Sequence, residues 1–290
     1  MKTLLIANPV AGKGRALAAA HQVALAYPKT APDLYLTRSA GDATLRTAKA
    51  VDEGYECVVA IGGDGTVNEV AQALVHTQVA LGIIPVGSGN GLARHLGYAM
   101  QPVQAYRQLS KGQVQRIDYG LVNGKPFFTT FGLGFDGAVA KAFAERGGNR
   151  GLARYMALSL SLYNRFVPFQ AQLQIDTEAP ILLENAFSLT FGNANQFGNN
   201  FRICPAASLA DGLLDLTAIT HQGLYANVQL MARILRQKPF ETLAMQKKLM
   251  RCQVVCQSPI PYHADGEYMT TAKEFTVSIV PKSLNVIGSM

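Results

Sequence analysis

A short apolar run that ends on glycines constrains this chain most. Cys57-Val-Val-Ala-Ile61 is apolar throughout, as expected of a strand buried on both faces. Gly62-Gly63-Asp64-Gly65-Thr66-Val67-Asn68-Glu69 follows it. From Thr66 to His76 the apolar residues Val67, Val70, Ala71, Leu74 and Val75 fall on one helical face. Strand, glycine turn and helix therefore follow in immediate succession. The same rhythm surrounds them, with strands at Thr3–Ala7, Asp33–Thr37 and Ala80–Val86. Helices are expected at Arg15–Tyr27, at Asp42–Glu53 and from Asn90 onward. Such βαβα alternation predicts a doubly wound parallel sheet with helices on both faces.

The pattern changes near Asp118. Strand-like pieces then dominate: Tyr119–Val122, Phe127–Thr130, Gln170–Ile175, Ala186–Phe191, Leu214–Ile219, Gln253–Gln257 and Phe275–Ile279. Turn signals separate them, which predicts an antiparallel β-sandwich or barrel. Two helical insertions are expected within it, at about 137–165 and 222–250. The domain boundary is accordingly placed near residue 120, giving domains 1–120 and 121–281.

Nearly half the residues are apolar, enough for a sizeable core and against disorder. No run reaches the length of a membrane-spanning helix. The apolar opening Leu4-Leu5-Ile6-Ala7 is cut short by Asn8-Pro9 and reads as a strand, not as a secretory signal. Cys57, Cys204, Cys252 and Cys256 lack metal-site spacing, and reduced thiols in a cytoplasmic protein are expected. The formal charge of +7 favours acidic partners. Basic clusters are not interleaved with aromatics, so no nucleic-acid partner is expected. His21, His76, His95, His221 and His263 show no metal spacing; only His263 lies near a motif, and it is assigned no role.

The glycine turn after Ile61 has a chemical reading. In an open parallel sheet ligands bind beyond the carboxyl ends of strands. Glycines let backbone amides approach phosphate oxygens, and the following helix points its positive end at the same place. Asp64 can hold a phosphate-bound magnesium ion or position a hydroxyl, while Thr66 and Asn68 can donate hydrogen bonds. Two further glycine-rich loops follow strands at the same edge, Asn8-Pro9-Val10-Ala11-Gly12-Lys13-Gly14 and Pro85-Val86-Gly87-Ser88-Gly89-Asn90-Gly91. Neither has the spacing of a Walker A loop, a dinucleotide fingerprint or a nucleophile elbow. Together the three loops make a polyphosphate cradle.

Asn-Pro-x-x-Gly, Gly-Gly-Asp-Gly-Thr-x-Asn-Glu and Gly-Ser-Gly-Asn-Gly-Leu-Ala-Arg resemble the catalytic domain of diacylglycerol, sphingosine and ceramide kinases and their bacterial lipid-kinase relatives. The resemblance extends to Gly132-Leu-Gly-Phe-Asp136 and His263-Ala-Asp-Gly-Glu267. It implies that ATP meets Asn8, Pro9, Val10, Ala11, Gly12, Thr37, Gly62, Gly63, Asp64, Gly65, Thr66, Val67, Asn68 and Ser88. It further implies Glu267 as the general base, supported by Asp265, with Asp64 also catalytic and Asp136 in the substrate cleft. Ser208, Asp211 and Leu213 resemble a structural magnesium site of bacterial members, with a carboxylate from Asp211 and backbone carbonyls from Ser208 and Leu213, oxygen-only ligands that suit that ion. The final segment, 282–290, is expected to return to the first domain.

The expected cofactors are thus ATP and Mg2+, and the expected partner is a lipid substrate presented at a membrane surface. A homodimer is a further possibility, as is peripheral contact of this cytoplasmic protein with the inner face of the membrane. Asn90-Gly91 stands where many bacterial members carry Asn-Asp, which weakens a claim for diacylglycerol over a sphingoid acceptor. The rival readings are a kinase of NAD or a sugar sharing the Gly-Gly-Asp-Gly-Thr loop, and a catalytically silent lipid- or nucleotide-binding regulator. Between Leu224 and Arg251, Leu230, Met231, Ile234 and Leu235 share helical spacing with Arg233, Arg236, Lys238, Lys247 and Lys248 nearby. That stretch reads as a surface helix with a solvated basic face, or one that docks on anionic headgroups.

Overall fold

The computed structural model describes residues 1–28, 32–146 and 152–288. Two compact units emerge, Met1–Asp118 with Lys282–Met290, and Tyr119–Pro281.

In the first unit β1 (Thr3–Ala7), β2 (Asp33–Leu36), β3 (Cys57–Gly62) and β4 (Ala80–Pro85) alternate with α1 (Arg15–Ala26), α2 (Asp42–Asp52) and α3 (Asp64–Leu74). The short α4 (Gly91–His95) and then α5 (Pro102–Lys111) follow. The sheet order is β4-β3-β1-β2, all parallel. β3 and β4 are buried at every position, which accounts for their unbroken apolar runs. The register places Ala7 beside Leu36 and Ile61, and Ile61 beside Ile84. All four strands therefore end level, and the three glycine loops leave from one edge. α1 packs with α5 and α2 with α3. α3 buries Val67, Val70, Ala71 and Leu74, the face expected from their spacing.

The chain's last strand, β13 (Glu267–Gly288), completes this sheet, since Val286 pairs in parallel with Leu81 of β4. Around it the Tyr98 hydroxyl donates to the Ile287 carbonyl, and His76 N–H to Ser283 O at 2.8 Å. β5 (Gln113–Val122) runs in the opposite sense from the first unit into the second.

The second unit contains β6 (Lys125–Phe127), β7 (Thr130–Gly134), β8 (Phe169–Ile175), β9 (Ile181–Gly192), β10 (Leu214–Thr220), β11 (Met245–Leu249) and β12 (Arg251–Ala264). Its helices are α6 (Phe135–Arg146), α7 (Leu152–Tyr163) and α8 (Leu224–Leu235). The pairing is antiparallel and closes on itself. β7 pairs with β9 and β12, and β8 pairs with the same two strands. Two long strands, β9 and β12, thus serve a different partner at each end. This is the expected β-sandwich with helical insertions. Phe131 sits in its core, ringed by Phe127, Phe191, Tyr262 and Phe275 with centroids 5.5–6.1 Å away. A second cluster packs Val139 of α6 with Leu230 and Ile234 of α8, beside Phe187 of β9 and Phe240.

The helical insertion expected at 222–250 is only half helical. α8 stops at Leu235, Gln237 adopts φ +51° and Pro239 follows. A proline so close behind the last turn prevents helix continuation. Met245-Gln-Lys-Lys-Leu249 instead pairs with β10 as an edge strand, so Lys247 and Lys248 do not belong to a helix. Lysines are what an edge strand carries to discourage further pairing. The other expected insertion resolves into α6 and α7; residues 147–151 of it lie outside the described residues.

Candidate active site

The three glycine loops of the first unit touch backbone to backbone. A Cβ on Gly12, which has φ +60°, would stand 2.1 Å from the Val86 carbonyl oxygen. A Cβ on Gly87 would stand 2.5 Å from the Gly63 Cα. Side chains at those positions would force the loops apart. Asp64 opens α3 and binds the third loop: its carboxylate accepts the N–H of Asn90 at 2.9 Å and of Gly91 at 2.7 Å. Arg15 adds a second tie, donating from Nε to Gly12 O and from Nη2 to Val86 O, each at 2.8 Å. Arg94 Nε donates to Gly89 O at 3.0 Å.

Asn8 shapes the first loop. Its side-chain oxygen accepts the Val10 N–H at 3.2 Å and its carbonyl that of Ala11 at 2.9 Å. Pro9 is half-buried, while Val10 and Ser88 are exposed. Thr37 is buried, its N–H bonded to Ala7 O at 3.0 Å. Thr66 and Val67 are buried on α3, and Asn68 accepts a hydrogen bond from Gln72. Residues from all three loops, with Thr37, therefore gather at the carboxyl edge of one parallel sheet. The residues missed in the sequence are Arg15 and Arg94, whose cations brace two of the loops. The only hint of them was a basic residue next to each glycine run.

In the second unit β12 and β13 are joined by a two-residue turn, Asp265-Gly266, with Ala264 paired to Glu267. Both turn residues have positive φ, +50° and +79°, the geometry of a type I′ hairpin for which Asp-Gly is a preferred sequence. The turn separates the two acids that an extended segment would have put on one face. Asp265 is buried and Glu267 is exposed. The Asp265 carboxylate accepts the N–H groups of Phe128 at 2.9 Å, Thr129 at 2.7 Å and Thr130 at 3.2 Å, and the Thr129 hydroxyl at 2.6 Å. Its own N–H donates to Thr130 O at 2.8 Å.

Asp136 stands in the first turn of α6, where the Thr190 hydroxyl donates to it at 2.6 Å. Burial pushes its carboxyl above the usual carboxylate range, and the hydroxyls of Thr190 and Ser188 offset part of that rise. A Cβ on Gly137 would meet the Pro261 carbonyl oxygen at 2.0 Å, so that glycine lets α6 lie against β12.

Residues 2–122 match the model of the diacylglycerol kinase catalytic domain, and residues 129–288 match the YegS C-terminal NAD kinase beta sandwich-like domain. A protein of Mycobacterium tuberculosis named diacylglycerol kinase is 30% identical, covering 99% of this chain and 94% of its own. The chain belongs to the diacylglycerol-kinase family of lipid kinases. A Xanthomonas euvesicatoria protein named "Probable lipid kinase YegS-like" is 28% identical over 88% of this chain and 85% of its own. In fold, the crystal structure of a diacylglycerol kinase from Bacillus anthracis aligns with a TM-score of 0.77 at 21% identity, covering 99% of this chain and 97% of its own.

The magnesium position expected by analogy with bacterial family members is used differently here. One Asp211 oxygen takes the Lys248 ammonium at 2.6 Å and the other accepts the Leu213 N–H at 3.1 Å. Lys248 also approaches Asp215 at 3.5 Å, while the Ser208 hydroxyl accepts the Ala210 N–H at 3.4 Å. A side-chain cation thus already neutralises the carboxylates, and Asp211 holds the Lys248 proton more firmly. Burial raises the Asp215 carboxyl, and Lys248 counters that rise. The carboxylate assigned to magnesium by the resemblance is here engaged by Lys248. Among the described residues no group of three or more His, Cys, Asp or Glu side chains is placed to hold a metal. Nor, among them, is any helix long and apolar enough to cross a membrane.

Proposed function

We propose that this chain transfers the γ-phosphate of MgATP to a hydroxyl group of a lipid, of diacylglycerol, phosphatidylglycerol or sphingoid type. The observation that carries the reading is the division of labour in the Asp265-Gly266-Glu267 turn. Asp265 is committed to three backbone N–H groups and a hydroxyl, while its neighbour Glu267 is exposed at the tip of the hairpin. A carboxylate on so rigid a mount suits proton transfer from an alcohol.

The chemistry needs little else from the protein. Phosphoryl transfer depends on positioning and charge neutralisation more than on covalent help. The loops Asn8 to Gly12 and Gly62 to Asn68 would line the phosphates, with Thr37 and Ser88 as further polar contacts. Asp64 ties the second and third loops, so its part is to keep the cradle closed. Magnesium arrives with the nucleotide as part of the substrate. Glu267 takes the proton of the attacking hydroxyl as its oxygen bonds to phosphorus and ADP leaves. The lipid is met at a membrane surface by a protein that associates with it peripherally.

The test is MgATP turnover against diacylglycerol, phosphatidylglycerol, sphingosine, ceramide and NAD, with Glu267→Gln alongside. Transfer to one lipid, abolished in the variant while ATP still binds, is the expected result. Transfer to NAD alone, or undiminished turnover by Glu267→Gln, overturns the proposal.

A further inference from the structure

His263 is buried beside the turn that carries Glu267. Strand register aligns it with Gly132 of β7, and Gly132 with Thr190 of β9. Residues directly opposite one another share a sheet face, so all three positions look toward the start of α6. A Cβ on Gly132 would stand 2.4 Å from the His263 Nε2 and 3.2 Å from the Asp136 Cβ. The missing side chain is the seat of the imidazole. Phe197 meets the ring edge-on, with centroids 5.6 Å apart. On the opposite edge of the ring, Nδ1 accepts the N–H of Gly266 at 3.2 Å. Accepting there requires an unprotonated Nδ1, and burial lowers the imidazole pKa to about 4, which keeps the ring neutral.

The hairpin turn is therefore gripped at both of its residues. Asp265 is held by the amides of residues 128–130, and Gly266 is held by His263. Glu267 is the next residue. We propose that His263 is a positioning residue for Glu267: seated over Gly132, it accepts the Gly266 N–H and fixes the turn that presents the carboxylate. Two motifs far apart in sequence, Gly-Leu-Gly-Phe-Asp and His-Ala-Asp-Gly-Glu, thereby become one device. The first supplies the gap and the second supplies the ring that fills it.

The proposal rests on Glu267 as the base, so its test carries one readout that does not. His263→Asn keeps an acceptor oxygen near the Nδ1 position, whereas His263→Gln moves the acceptor toward the Nε2 position. In the full chain, with MgATP and dioctanoylglycerol in detergent micelles, His263→Asn is expected to retain most of the wild-type kcat. His263→Gln should lose about 10- to 100-fold in kcat, the cost of a misplaced catalytic group, with KM for MgATP little changed. Amide exchange at Gly266, read by NMR, should accelerate in His263→Gln and stay slow in His263→Asn. Should His263→Gln not fold, His263→Leu replaces it, with no acceptor and the same expected loss. Equal kcat and equal Gly266 exchange in the Asn and Gln variants would overturn the proposal. If Glu267→Gln remains active, or dioctanoylglycerol is not turned over, the base or substrate reading fails instead, and Gly266 exchange alone decides whether His263 sets the turn.

Discussion

Replacing Asp265 by alanine should damage the protein far more than replacing it by asparagine. Alanine leaves the N–H groups of Phe128, Thr129 and Thr130 without their acceptor in a buried place. Each unsatisfied buried donor costs about 1–3 kcal/mol, so three cost roughly 3–6 kcal/mol after some relaxation. Alanine must also adopt φ +50° at that position, adding about 1 kcal/mol. Asparagine tolerates that conformation and keeps one oxygen. The Oδ1 atom alone accepts from Thr129 N, Thr129 Oγ1 and Thr130 N. Phe128 N–H, shared between the two oxygens, would keep its 3.1 Å contact with Oδ1 and lose only the 2.9 Å one to the amide group, at a cost of about 1 kcal/mol. Urea unfolding, compared at equal m, measures both changes. Hydrogen exchange across residues 128–130 locates the damage, which should be confined there in the asparagine variant. A loss under 1 kcal/mol in Asp265→Ala, or equal losses in the two variants, would refute the claim that this carboxylate is the hub of the turn.

His263 should make stability depend on pH. Its pKa is about 4 in the fold against 6.5 for a free imidazole, so between those values the unfolded chain binds the extra proton. The contribution is complete above pH 6.5 and is lost toward pH 4, reaching roughly 3 kcal/mol there. Asp136 opposes it, because its raised pKa lets the folded state take up a proton first. His263→Asn removes only the first effect, so urea unfolding from pH 7 to 4 should show a smaller acid loss in the variant; equal losses would contradict this. Gly12→Ala should raise KM for MgATP by an order of magnitude or more in steady-state assays, because the new Cβ would lie against Val86 O. An unchanged KM would mean that the first loop does not hold the nucleotide. Without nucleotide, chelating free magnesium should leave the melting temperature unmoved, since Lys248 already pairs with Asp211. Lys248→Met should cost about 1–2 kcal/mol by leaving Asp211 and the mostly buried Asp215 unpaired. A melting temperature that falls on chelation would restore a structural ion there.

What the sequence disclosed was what local pattern dictates. The α3 face is written in Val67, Val70, Ala71 and Leu74, because one side of a helix must meet the sheet. Asp265-Gly266 announces its turn, since few residue pairs accept two positive φ values. Met245-Gln-Lys-Lys-Leu249 has no alternation to set it apart from a helix, and only its pairing with β10 makes β11 a strand. His263 was silent for a related reason. Its meaning depends on the register that sets it opposite Gly132, and register is a property of three strands together. Lys248 at Asp211 is likewise a contact between residues distant in sequence, and a match of short motifs does not see it.

The return of β13 to the first sheet has a consequence for synthesis. Tyr98, Gln115 and β4 all await partners among residues 286–288. The ribosome delivers those residues only after the whole of Tyr119–Pro281. The nucleotide-type unit is begun before the second unit and can close its sheet only after it, whereas Tyr119–Pro281 is one unbroken segment. A nascent chain stalled before residue 286 would hold an unfinished parallel sheet with an open edge, a surface for chaperones to cover.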